Sequence, residues 1–178
     1  MNTSKYLFSI FITALILSAC SADNSETNVS ANKTYEDPFE YCEVAGTIDR
    51  PGVEYTGAKV PESIAEQLRK DVGVAQDYPN DKFAEGTYWR CMDGSVYGCF
   101  VGNNIPCEEK ADVSKEPNDG MINYCGENPD SDVIPMYASG RSTVYEWKCL
   151  NGTPEIVKQV AQTDQAGYIK DIWYKIEP

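Results

Sequence analysis

The sequence contains no histidine. That absence removes the commonest general base and the commonest zinc ligand, and with them every nucleophilic triad built on an imidazole. Basic side chains are scarce too. Fifteen Lys and Arg face 28 Asp and Glu, a formal charge of −13, so nucleic acid, which is held mainly by cations that neutralise phosphates, is a poor partner. An acidic surface instead attracts cations and basic proteins, and it keeps an exported chain soluble. A Cys-x-x-Cys metal pair, a Gly-x-Ser-x-Gly elbow, a phosphate loop and a dinucleotide fingerprint are all missing. The acidic groups at Glu108-Glu109, Asp119, Glu127 and Asp130-Ser131-Asp132 lack the spaced glycine and closing glutamate of a calcium loop. No catalytic residue, metal ligand or cofactor is therefore assigned.

What is present begins with a leader. Met1 to Lys5 carries one lysine, Tyr6 to Leu17 is mainly apolar, and Leu17-Ser18-Ala19-Cys20 ends the segment. This is the three-part pattern of a signal peptide over residues 1–19. The apolar run is too short to span a bilayer, which takes about 20 residues. Residues 20–37 are rich in Ser, Asn, Thr, Asp and Glu and read as a flexible tether. Residues 38–178 are long enough for a single globular domain.

Leu17-Ser18-Ala19-Cys20 resembles the lipobox of bacterial lipoproteins. The resemblance implies cleavage before Cys20 and lipidation there, with the membrane as a partner through that lipid. Ser21 is similar to the residue found in outer-membrane rather than inner-membrane-retained lipoproteins, which points to the periplasmic or surface face of the outer membrane. Ordinary cleavage near Ala19 or Ala22, with release as a soluble protein, is the alternative. Cysteine parity favours the lipobox. Of seven cysteines, committing Cys20 to lipid leaves Cys42, Cys91, Cys99, Cys107, Cys125 and Cys149, enough for three bridges.

The expected fold class is α+β: a small disulfide-stapled domain with antiparallel hairpins and two short helices. Val60, Ile64, Leu68 and Val72 recur at four-residue spacing between Pro61 and Gly73, which predicts a helix over about 61–72. A second short helix is expected over 117–125, and a short strand within Glu40 to Ile48. Asp93-Gly94 and Asn151-Gly152 are hairpin turns. The first places Arg90 opposite Tyr97 and Cys91 opposite Val96, so that Cys91 and Cys99 lie on opposite faces and are not bridged. The second sets Lys148 opposite Glu155 and Trp147 opposite Ile156, with Pro154 at an edge or non-bonding position. A further turn at Asp164 to Gly167 would return Tyr168 to Ile176 as the third strand of a C-terminal meander. Sequence leaves the disulfide connectivity open; Cys107 to Cys125 is favoured because both lie in the connecting segment.

Trp89-Arg90-Cys91-Met92-Asp93-Gly94-Ser95 recurs as Trp147-Lys148-Cys149-Leu150-Asn151-Gly152-Thr153. Duplication of a strand-turn unit accounts for the echo. One functional reading makes Tyr88, Trp89, Arg90, Tyr145, Trp147 and Lys148 an aromatic and cationic surface for a ligand. The other packs both tryptophans beside disulfides in a small core.

The stretch from Tyr88-Trp89-Arg90-Cys91 through Gly94, Val96, Cys99, Val101-Gly102, Ile105-Pro106-Cys107, Cys125, Gly140-Arg141 and Tyr145 to Cys149 resembles an uncharacterised family of small cysteine-rich exported bacterial proteins. The resemblance spans about Gly86 to Tyr174 and supports the fold unit without implying an activity. The Tyr-Trp-Arg-Cys-x-x-Gly hairpin is also similar to that of lipoprotein lysozyme inhibitors. The functional expectation is a non-catalytic module that binds a protein or small ligand. The alternatives are a structural envelope component, an inhibitor of basic envelope-attacking proteins, and a histidine-free hydrolase working through two facing carboxylates.

Overall fold

The computed structural model describes residues 33–178, within the compact unit Asn32–Pro178. The signal peptide, Cys20 and most of the tether lie outside the described residues. Packed structure starts slightly before the expected boundary at residue 38. Tyr35 exchanges backbone hydrogen bonds with the 54–56 segment, its N–H donating to the Glu54 carbonyl at 2.8 Å.

Asp37 starts the first helix. Its Oδ1 accepts from the N–H groups of Phe39 (2.7 Å) and Glu40 (3.3 Å), and Pro38 occupies the first turn, where its missing N–H costs nothing. Helix α1 (Pro38–Ala45) results, and Gly46 at φ +71° ends it. The strand expected within Glu40 to Ile48 is thus a helix, because a capped proline start outweighs a short β-prone run. Only Ile48 is paired, as a single bridge to Cys91.

Helix α2 (Glu62–Asp71) lies where the four-residue spacing predicts, with Ile64 and Leu68 fully buried. Helix α3 (Asn80–Glu85), which buries Phe83, has no counterpart among the expected elements. Strands β1 (Thr87–Met92) and β2 (Ser95–Phe100) form the first hairpin in the expected register, Arg90 opposite Tyr97 and Cys91 opposite Val96. After helices α4 (Asp119–Glu127) and α5 (Met136–Ser139), strands β3 (Tyr145–Leu150) and β4 (Thr153–Gln159) form the second. Lys148 faces Glu155 and Trp147 faces Ile156, as the Asn-Gly turn dictates. Five helices and antiparallel sheets of three and two strands make this the α+β, disulfide-rich domain expected.

The C-terminal meander is not formed. Strand β5 (Tyr174–Ile176) leaves the second hairpin and pairs antiparallel with β2, Val96 opposite Ile176 and Gly98 opposite Tyr174. The reason is Pro154. Cys91 and Cys149 both turn their N–H away from their hairpin partners, to Ile48 and Ser131, so Cys91–Val96 and Cys149–Pro154 are non-hydrogen-bonded pairs. Val96 therefore offers its N–H to the neighbour on its far side. Pro154 stands in the same place with no N–H to offer, and the second sheet stops at two strands.

The buried side chains form three clusters, and each contains one disulfide and one tryptophan. Cys42–Cys91 lies with Trp89, Cys125–Cys149 with Trp147, and Cys99–Cys107 with Trp173. The Cys91–Cys99 bond is absent, as the hairpin geometry requires. The expected Cys107–Cys125 bond is also absent: each cysteine pairs within its own cluster, so bridging follows packing rather than shared position in a connecting segment.

Candidate functional site

The sequence echo extends into three dimensions, beyond the seven residues that define it. In each copy a Tyr-Cys pair sits in a helix capped by an Asx side chain. These are Tyr41-Cys42 in α1 behind Asp37 and Tyr124-Cys125 in α4 behind Asn118. Each helical cysteine is bonded to the cysteine that follows Trp-Arg or Trp-Lys in the hairpin. Three hydrogen bonds then recur at identical offsets. The hairpin glycine N–H donates to the carbonyl four residues past the helical cysteine, Gly94 to Gly46 (3.0 Å) and Gly152 to Pro129 (2.9 Å). The N–H before it donates to a side-chain oxygen at offset five, Asp93 to Thr47 Oγ1 (3.0 Å) and Asn151 to Asp130 Oδ1 (3.3 Å). The hairpin cysteine N–H donates to the carbonyl at offset six, Cys91 to Ile48 (3.2 Å) and Cys149 to Ser131 (2.8 Å). The repeated unit is thus a capped helix, a loop and a hairpin, tied by one disulfide.

This arrangement decides the fate of the six residues expected as a ligand surface. Trp89 and Trp147 are 4% and 3% exposed and lie in different clusters. Trp89 packs edge-on to Tyr55, with ring centroids 4.8 Å apart, and its Nε1 donates to the Lys59 carbonyl at 2.8 Å. Arg90 is completely buried. Tyr145 is half-buried against Trp147, Lys148 is half-buried opposite Glu155, and Tyr88 is half-buried on β1. The neighbouring Glu108 carboxylate, with partial burial, raises the Tyr88 phenol above its ordinary value. The six residues do not meet as one surface. A tryptophan beside a disulfide covers more apolar area inside a small core than it would at a hairpin tip, and packing prevails.

Arg90 instead organises a site that the sequence does not announce. Its guanidinium lies over the faces of both Tyr168 and Trp173, 4.4 and 4.3 Å from the centroids of this T-shaped pair, and its Nη2 donates to Asp164 Oδ2. Asp164 is itself almost fully buried, and its Oδ1 accepts the N–H groups of Ala166 (2.9 Å) and Tyr168 (3.1 Å). Two aromatic faces and a carboxylate compensate a cation removed from water. Arg90 Nε and Nη1 make no hydrogen bond, so the ring faces carry that part of the compensation. Asp164 is legible only as a turn residue, since nothing local ties it to a strand 74 residues earlier.

Beside this pair runs an open groove of about 480 Å³ whose walls include Met92, Tyr97, Lys170, Trp173 and Tyr174. A larger one, about 660 Å³, lies between α2 and α3. There Arg69 is committed to the carbonyls of Ala75 and Tyr78 and to Asn80 Oδ1. Among the described residues no three metal-ligating side chains converge, and no helix is long and apolar enough to cross a membrane.

Fold and site together define a small disulfide-rich α+β domain built on two copies of a helix–hairpin unit, and its three disulfides belong to an oxidising, exported environment. No family model, curated protein or solved structure matches the chain.

Proposed function

We propose that the protein is a lipoprotein of the bacterial outer membrane, anchored through Cys20, whose domain is a non-catalytic module for binding a protein or small ligand. The pairing of Cys42, Cys91, Cys99, Cys107, Cys125 and Cys149 among themselves carries this reading, because it leaves Cys20 as the one cysteine of the seven to be committed to lipid. The leader before Cys20 and the polar tether after it support the same assignment. Two or more acyl chains hold a protein to a bilayer where one is marginal, so the anchor is stable.

Absence of catalysis is supported by the state of Asp164, a carboxylate beside the 480 Å³ groove. Asp164 has both oxygens committed, Oδ2 to Arg90 and Oδ1 to the N–H groups of Ala166 and Tyr168, so neither is free to meet a substrate. Fractionation tests the anchor. Wild-type protein is expected in the outer-membrane fraction after a high-salt and carbonate wash, and Cys20→Ser in the soluble periplasmic fraction. Release of both proteins as soluble species would mean ordinary secretion instead.

A further inference from the structure

The second copy of the unit carries an acidic stretch in which several large apolar side chains are exposed. From Glu116 to Gly140 the chain has five carboxylates, Glu116, Asp119, Glu127, Asp130 and Asp132, and no Lys or Arg. All five are exposed, and none has a cationic partner among the described residues. The same stretch exposes large apolar side chains: Ile122 (49%), Val133 (52%), Met136 (59%) and Tyr137 (84%). Tyr137 rests edge-on against Tyr124 with ring centroids 6.0 Å apart, and Tyr124 is tied through Ser131 to the loop carrying Val133. The aromatic pair thus joins the Tyr124 side of α4, α5 and that loop into one surface, while Ile122, two residues from Tyr124 and so about 200° around the helix, lies on another side. Exposed apolar groups gathered inside a charged rim mark a contact surface rather than scattered solvent exposure.

The sign of the rim selects the occupant. A second copy would bring the same five carboxylates against each other, and like charges set opposite cost several kcal/mol. An anionic lipid surface is repelled for the same reason. A wholly apolar partner would bury carboxylates without counter-charge. The backbone here is mostly helical, its hydrogen bonds satisfied internally, so the face offers no strand edge for an extended peptide. Resting on the proposal that this is a binding module, we infer that the α4–α5 face docks a cationic amphipathic helix, with its apolar stripe on Tyr137, Met136 and Val133 and its Lys or Arg side chains on the acidic rim.

Fluorescence anisotropy tests this, using the full mature chain with Cys20→Ser and two labelled probes. One is a helical Leu/Lys peptide of about 18 residues, roughly 27 Å at the 1.5 Å helical rise; the other is oligolysine of equal charge. The amphipathic peptide is expected to bind at least tenfold more tightly than oligolysine, with affinity falling as salt rises. The double variant Val133→Ser/Tyr137→Ser should lose at least tenfold for the peptide and leave oligolysine unchanged. Val44→Ser/Val53→Ser, which removes exposed apolar groups elsewhere, should change neither. Equal binding of the two probes, unaltered peptide affinity in the Val133/Tyr137 variant, or no binding at all would overturn the inference. Concentration-dependent dimerisation abolished by the double variant would overturn it in favour of self-association. The lipid takes no part in the titration, so failure of the anchor and failure of this docking are read separately.

Discussion

The Asp164 carboxylate closes over the Arg90 guanidinium from a turn 74 residues further along the chain, and both groups are buried. The pair fastens the 163–173 segment, with Tyr168 and Trp173, to strand β1. The third cluster therefore depends on a charge that the first repeat buries. Truncating one partner leaves an uncompensated charge in the interior, whereas replacing both removes the need for compensation.

Asp164→Ala and Arg90→Ala are each expected to destabilise the domain by about 3–5 kcal/mol, as single losses from buried pairs do. Arg90→Met/Asp164→Leu should cost less than the sum of the two. Urea unfolding of the four proteins measures the coupling, and strict additivity would mean that the ion pair contributes no cooperative term.

The disulfides close loops of very different length, with sequence separations of 49, 24 and 8 residues. In the chain-entropy account their removal as Cys-to-Ala pairs costs about 4 kcal/mol for Cys42–Cys91, about 3.5 for Cys125–Cys149 and about 2.5 for Cys99–Cys107. Denaturant midpoints of the three double variants check that order.

Glycine substitutions should separate in sign. Gly94 and Gly152 hold φ of +74° and +81° at the hairpin turns, so Gly94→Ala and Gly152→Ala should each cost about 1–2 kcal/mol. Gly126 lies inside α4 with open space where a Cβ would go, and Gly126→Ala is expected to stabilise by about 0.4–1 kcal/mol. Thermal unfolding of the three variants decides.

Tyrosine titration reports the surroundings of Tyr88 and Tyr55. The Glu108 carboxylate, then partial burial, raises Tyr88, while burial, then Asp37, raises Tyr55 above the ordinary value of 10.0. A phenol raised on folding stabilises the native state fully below the unfolded value, and that contribution is lost as pH rises through the folded value. Stability should therefore fall above about pH 10, and Glu108→Gln should bring one tyrosinate absorbance step to lower pH. An unchanged alkaline profile in Glu108→Gln would remove Glu108 as the cause.

Much of the fold is legible in the sequence because it is local. Asp93-Gly94 and Asn151-Gly152 prescribe tight turns, and turn geometry fixes both hairpin registers near the apex. The stripe at Ile64 and Leu68 marks α2 for the same reason. Expectation and structure part where a distant partner or a cap decides. Asp37-Pro38 turns an expected strand into α1, and Pro154 sends β5 to a strand 76 residues earlier by the Gly98–Tyr174 pairing. The Trp89 and Trp147 echo marks a repeated unit, but it forms no shared surface, because alternation along a strand does not say what covers each face. Asp164 and Trp173 carry no sequence signal for joining Arg90. The connectivity of the six cysteines likewise depends on the clusters themselves.

Six structural cysteines and a seventh proposed as the anchor make a prediction about mass. Intact mass of the membrane-extracted protein, denatured and alkylated without reductant, tests it most directly. The expected species is a chain beginning at Cys20, heavier than the polypeptide by its acyl groups, with no alkylated thiol and six more after reduction. A chain cut elsewhere, or one beginning at Cys20 with a free thiol and no lipid, would contradict it.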